Sequence, residues 1–341
     1  MEVLIICTQV SGKIQSGKLW KNNTPARIVA IDPAQPEGSI KLLTEGYYSA
    51  HSPEISWDGK SLLFTAKQKH NDAWQIYEMN LSTFKISQIT SSSSSSSENY
   101  SDPVHLPNGR FVYGLVAGAD SLKTGHPLFT CNPDGSDPKQ VTFTPNTYLA
   151  LTVLNDGRVL ALDETSSTDK QQNILMVMRP DGTKAELFYQ GPVGSELVSS
   201  VSETTTGKVV FVESVTGTSN GTNITSIKYN RPLHSRVNLT SGMKGDFLSV
   251  FSMPSGKLLV SYRSSEAERY SIYEFDPETK TLGKLVFADA DYDACQVALV
   301  YNHERPKKLP SEVDFGVKTG LLLCQDVNFL DPNSIKNYPA L

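Results

Sequence analysis

Three histidines, His51, His70 and His126, fall in segments that the strand pattern places as loops on one face, and three converging imidazoles can gather a zinc ion. Standing on separate repeats, the same residues would be solvated loop histidines. Four acids, Asp102, Glu196, Asp246 and Asp293, lie near the starts of what the repeat pattern below marks as inner strands. Arranged around a channel mouth, they would form a ring able to hold Ca²⁺ or a cationic group. Trp20 stands among Lys13, Lys18 and Lys21 in a long polar segment from Ser11 to Pro25. An aromatic so placed either stacks on a ligand or tacks its loop onto the protein surface.

Nucleophilic and redox chemistry find less support. Cys7, Cys131, Cys295 and Cys324 form no Cys-x-x-Cys pair and no Cys-x-x-Cys-His for covalent haem. Three of them lie inside apolar strands, where a free thiol behaves as a small hydrophobe. A disulfide between Cys7 and Cys295 is a second possibility, because their strands become neighbours in the ring described below. The six histidines include none at the i, i+4 spacing of a metalloprotease helix. The chain has no Gly-x-Ser-x-Gly elbow, phosphate loop or dinucleotide fingerprint. The expectation is a protein that is not an enzyme and needs no cofactor, with catalysis by channel residues left open.

The elements that would position these residues recur along the chain. A glycine followed by Lys or Arg enters an apolar run at Gly59-Lys60, Gly109-Arg110, Gly157-Arg158, Gly207-Lys208 and Gly256-Lys257. The intervals, 109−59=50, 157−109=48, 207−157=50 and 256−207=49, are nearly constant. Behind each turn lies a second strand such as Leu62-Leu63-Phe64 or Val209-Val210-Phe211, then a third such as Trp74 to Met79 or Ile174 to Met178. In the clearest copy Glu54 to Trp57 reads as the inner strand, Ser61 to Ala66 as the second, Trp74 to Met79 as the third and Lys85 to Thr90 as the fourth. A four-stranded sheet repeating every ~40 to 50 residues predicts a β-propeller, in which each blade buries its faces on its neighbours.

Five blades are complete. Val3 to Thr8, Arg27 to Asp32 and Ile40 to Thr44 supply three strands of a sixth, and Cys295 to Tyr301 supplies its missing inner strand. The predicted fold is therefore an all-β, six-bladed propeller of four-stranded antiparallel blades. Pairing the strand at about 295–301 with the three N-terminal strands closes it and removes two open sheet edges. Residues 1–303 form the propeller and 304–341 an extension, a linker or the start of a following domain.

Charged residues are 20% of the chain and the net charge is −5, so no basic field directs the protein to nucleic acid. No apolar run reaches the ~20 residues of a membrane span. Met1 to Thr8 is too short, and lacks the basic start, to read as a signal peptide. The expectation is a cytoplasmic protein or a chain whose leader is removed. Ser91 to Ser97, seven serines in a row, reads as a flexible connector between blades.

Pro53-Glu-Ile-Ser-Trp-Asp-Gly-Lys-Ser-Leu-Leu-Phe-Thr-Ala, followed by Gln75-Ile-Tyr-Glu-Met-Asn-Leu and Ile89-Thr90, resembles the repeat of TolB-type, WD40-like propellers. Pro103-Val-His-Leu-Pro-Asn-Gly-Arg is a recognisable second copy; in later blades only the glycine-basic turn persists. The resemblance implies six blades, a place in the bacterial periplasm or at the cell surface, and protein binding without catalysis. It transfers no site residue, because the matching positions are turn and core residues. Arg305-Pro-Lys-Lys-Leu-Pro-Ser-Glu-Val-Asp with Lys318-Thr-Gly-Leu-Leu-Leu-Cys-Gln-Asp-Val is similar to the segment after the propeller in proteins like the hydrazine synthase alpha subunit, where haem-bearing domains follow. This chain has no haem motif, so that chemistry does not carry over.

The expected function is a binding or scaffold propeller that engages a protein or glycan through its long-loop face or channel mouth, as a monomer or as part of a multidomain protein. The alternative is an accessory propeller of a larger cell-envelope oxidoreductase or other enzyme. For the tail, Pro306 and Pro310 lack the N–H a ladder needs, which predicts a polyproline-like connector. Leu321-Leu-Leu-Cys324 is expected either to dock on the ring or to begin the next domain.

Overall fold

A computed structural model describes residues 4–15, 24–36, 38–91, 98–116, 126–144, 146–164, 173–199, 201–215 and 221–314, with 316, 317 and 319. Six antiparallel sheets form a six-bladed β-propeller. Blade 2 is typical, with strands Ser49–Ile55, Ser61–Lys67, Gln75–Asn80 and Ile86–Gln88 from the channel outward. Blade 3 begins with Asn99–His105, blade 4 with Thr147–Val153 and blade 6 with Asp246–Ser252. In blade 5 the inner strand is split into Ser195–Leu197 and Ser202–Glu203, both paired with Lys208–Val215. The turn glycines Gly59, Gly109, Gly157, Gly207 and Gly256 all have φ between 68° and 91°, the left-handed position near the end of the short hairpin loops that Leu106 N–H to Arg110 carbonyl and its counterparts close.

Closure follows the expected pairing. Asp293–Val300 lies against Leu4–Val10, which continues to Ala26–Ile31 and Lys41–Leu42, so blade 1 is sewn from both ends of the propeller. Ile5 faces Leu299 on one side and Ile31 on the other.

The period-2 pattern of each second strand explains how the blades cohere, since alternate residues serve opposite seams. Leu62 and Phe64 of blade 2 pack with Ile6 and Ile28 of blade 1, whereas Leu63 packs with Phe111 and Tyr113 of blade 3. Val210 and Val212 face blade 6, whereas Val209 and Phe211 face blade 4.

One expectation is corrected. The inner strand of blade 2 is Ser49–Ile55, not Glu54 to Trp57, and Trp57 belongs to the following turn. Cys7 and Cys295 are buried free thiols, as their apolar strands predict, and the alternative of a disulfide between them falls. A register shift between Ile6 and Thr8 sets Cys295 opposite Thr8, and the two thiols point to opposite faces of the sheet, Cys7 toward Leu259 and Ile272, Cys295 toward Val250 and Leu258. Burial pushes the Cys7 thiol up to about 12 and that of Cys295 well above its ordinary value.

In this meander the inter-blade loops and the second-to-third strand loops share one face, here the upper face. The inner hairpin turns share the lower. Residues 301–314 leave blade 1 on the lower face as an extended chain without sheet pairing, as the prolines require. Leu321 to Cys324 lie outside the described residues.

Candidate ligand site at the upper channel mouth

Register shifts interrupt the inner-strand pairings of five blades, after Ile6, His51, Ser101, Ala150 and Phe247. The bulges of the consecutive blades 1, 2 and 3 form a set of their own. At each of these a residue other than glycine takes the left-handed conformation: Gln296 (φ 49°), Ser52 (φ 54°) and Asp102 (φ 50°). Ser52 and Asp102 each precede a proline, which cannot complete the ladder and forces the strand out of register. Such backbone costs of order 1–3 kcal/mol per residue and persists where its surroundings hold it.

What holds it is a chain of hydrogen bonds across the blade seams. Gln296 Oε1 accepts from Thr8 Oγ1 and from the Ser52 backbone N–H, each at 2.9 Å. Ser52 Oγ donates to Asp102 Oδ1 at 2.7 Å and lies 2.8 Å from His51 Nδ1. An ionised carboxylate only accepts, so the hydroxyl proton points to Asp102 and the Nδ1–H of His51 donates to Ser52. Burial lowers His51 to about 3, which keeps its imidazole neutral and fits that tautomer. In the order His–Ser–Asp, Ser52 gives its proton to the Asp102 carboxylate and accepts from His51, so the imidazole does not stand as the base for this hydroxyl.

Asp102 ends the ladder half-buried. Burial raises its carboxyl above the ordinary range and the negative Glu164 of blade 4 adds to this, against the Ser52 hydrogen bond, which favours the ionised form. The result is an acceptor, bonded to Ser52, whose charged form is less favoured than that of a solvated carboxyl.

Beside the ladder, the upper face of blade 2 carries an aromatic cluster. The His51 ring meets Trp74 edge to face at 4.7 Å, and His70 meets Tyr48 at 5.1 Å. Lys67 Nζ sits 4.9 Å from the Trp74 ring and 5.2 Å from that of Tyr48, held by a 2.8 Å bond to the His70 carbonyl. Tyr48 remains 38% exposed.

The structure thus groups His51 and His70 around Trp74, Tyr48 and Lys67, and leaves His126 at the seam of blades 3 and 4, where its carbonyl accepts from Tyr148 N–H. Among the described residues no group of three or more His, Cys, Asp or Glu is placed to hold a metal ion. The four acids divide. Asp293 is fully buried and accepts from the backbone N–H of Ile14 and of Tyr270, with Arg269 3.6 Å away. Asp246 is buried against Arg263, whose guanidinium also reaches the Ile14 carbonyl. Both therefore seat Ile14 against blade 6. Glu196 is half-buried opposite Ser214, and Trp20 lies outside the described residues. Sequence reasoning missed Ser52, Gln296, Tyr48 and Lys67. The signal for the first was the Ser52-Pro53 and Asp102-Pro103 pair at 102−52=50 residues, the repeat interval itself.

The fold and this channel define the class, a six-bladed β-propeller of the TolB-like architecture. No known protein family's sequence profile matches the chain. It is similar to hydrazine synthase subunit alpha of Kuenenia stuttgartiensis, 22% identical over 343 residues that cover 83% of this chain and 42% of that protein. The Kuenenia stuttgartiensis hydrazine synthase structure superposes with a TM-score of 0.74 at 18% identity, covering 91% of this chain and 48% of that one. TolB from Acinetobacter baumannii gives 0.61 at 12% identity, covering 87% and 66%. A chain of the nidogen–laminin complex gives 0.63 at 10%, covering 88% and 99%. The present chain thus spans about two fifths of the length of its curated relative. Among the described residues no helix is long and apolar enough to cross a membrane.

Proposed function

We propose that the protein is a non-enzymatic binding propeller of the cell envelope that engages a protein or glycan through the upper channel mouth of blades 1 to 3. One observation carries this reading. Three strained residues in register, Gln296, Ser52 and Asp102, are held by one hydrogen-bond chain that ends on the half-buried Asp102 carboxyl. Strain kept in place at matched positions around one opening is the signature of a pre-organised ligand wall. Hydroxyl and amide donors suit Asp102, and the exposed Tyr48 beside the half-buried Trp74 suits a sugar ring or an aromatic side chain.

The experiment is an array of envelope glycans and envelope proteins probed with the full chain and with Asp102→Ala and Trp74→Ala. Retention of a ligand by the wild type, weakened about tenfold or more by each substitution, is expected, a loss of about 1.4 kcal/mol or more. Equal retention by all three proteins would remove the upper mouth as the site. The similarity to part of hydrazine synthase subunit alpha favours a second reading, an accessory propeller in a longer oxidoreductase. In that case the same mouth would bind a neighbouring domain or subunit.

A further inference from the structure

Five inner hairpin turns ring the lower face, and two of them carry a passenger. At blade 2, His303 N–H donates to the Trp57 carbonyl at 2.9 Å, and Arg305 lies 5.5 Å over the Trp57 ring. At blade 4, Lys307 N–H donates to the Asn155 carbonyl at 3.1 Å. The chain then reaches the outer turn of blade 4. Arg179 donates to the Pro310 carbonyl at 2.5 Å and pairs with Glu312 at 3.1 Å, and Lys184 approaches Glu312 at 2.7 Å. Asp181 accepts from Ser311 Oγ at 2.9 Å and from Glu312 N–H at 2.7 Å.

The contacts are those of peptide recognition: backbone groups matched in the extended regions, and a charged clasp around one acidic side chain. The turns are shaped for it. A Cβ on Gly157 would stand 1.8 Å from the Lys307 carbonyl oxygen, whereas a Cβ on Gly109, Gly207 or Gly256 would meet nothing within 4 Å. Beside the strap a cavity of about 290 Å³ continues onto blade 3, walled by Phe143, Val141, Pro180, Leu309 and Val313. Phe143 is 78% exposed there.

We propose that the lower face from blade 2 to blade 4 is a binding track for an extended, proline-punctuated peptide that presents one glutamate to Arg179 and Lys184, and that residues 303–313 of the same chain occupy it in cis. The track is distinct from the upper mouth and shares no residue with it, so either assignment stands if the other fails. While the strap is seated the track is covered. Released, it accepts the same segment in trans.

The test uses the full chain and a labelled synthetic peptide of residues 303–314. Glu312→Lys sets a cation against Arg179 and Lys184 and alters only the strap, leaving the track intact. It is expected to speed tryptic cleavage after Lys307 and Lys308 about tenfold, since cleavage tracks the open population. The wild-type peptide is then expected to bind this variant saturably, and to bind neither the wild-type chain nor, when it carries the same substitution, the variant. Gly157→Ala and Gly109→Ala share the backbone strain of a positive φ, 91° and 88°, but only the former collides with the strap. Faster cleavage in Gly157→Ala than in Gly109→Ala is the expected result. Should Gly157→Ala fail to fold, Glu312→Lys on the exposed strap carries the test alone. Equal cleavage of the wild type and Glu312→Lys, or a released strap with no peptide binding, would overturn the proposal.

Discussion

Ser52 and Asp102, 50 residues apart and one blade apart, share a hydrogen bond of 2.7 Å and the same left-handed backbone. Two adjacent blades thus place a bulge at one level of the channel and join the bulges side chain to side chain. Gln296 extends the relationship to blade 1, through the strand that closes the ring. The closure that makes the propeller stable therefore also completes the upper mouth.

The raised Asp102 carboxyl gives a pH signature. Its folded pKa lies above the unfolded one, so protonation favours the folded state. That contribution is full below the unfolded pKa and is lost as pH rises through the folded value. Asp102→Asn keeps an acceptor for Ser52 and removes the charge. It is expected to melt no lower than the wild type at pH 7 and to lose the wild type's relative gain on mild acidification, while ligand binding falls. Melting curves from pH 4 to 8 check this.

A chain ending at Asp291 is expected to lose cooperative melting. It removes Asp293–Val300, and with it the buried Val297 and Leu299. Those two side chains alone contribute about 3–6 kcal/mol at ~1.5–3 each, an upper estimate, against a typical total of about 5–15. An unchanged melting curve would contradict the closure.

The thiols offer a third check. Cys7 and Cys295 are buried, free and hard to ionise. Alkylation at pH 8 is expected to spare both in the native protein and to label both in denaturant, and reducing agent is expected to leave the melting temperature unchanged.

The ring was legible in the sequence because its determinants are local. The glycine-basic turns at Gly59 and Gly157 take the predicted positive φ, and Ile174–Met178 is a strand at the predicted residues. The start of blade 2 was not legible, because Ser49, His51 and Ser52 are polar residues buried or half-buried by contacts remote in sequence, and the bulge before Pro53 breaks the period-2 alternation. The acids were misjudged for a related reason. Asp293 and Asp246 begin their strands, whereas Asp102 stands in the middle of Asn99–His105, and Ile14, from a loop remote in sequence, draws the first two into the structure through hydrogen bonds to its own backbone and to Arg263. Likewise, Gln296 reaches Ser52 over 244 residues, a distance no local pattern encodes.

Hydrogen–deuterium exchange of the full chain, with and without the ligand retained on the array, tests the central claim most directly. The account predicts slowed exchange in residues 47–52 and 99–103 and in the Lys67 to Trp74 loop, with the lower turns at Asn155 to Gly157 unchanged. Protection confined to the lower face or to the outer strands, with the Ser52 and Asp102 segments unaffected, would contradict it.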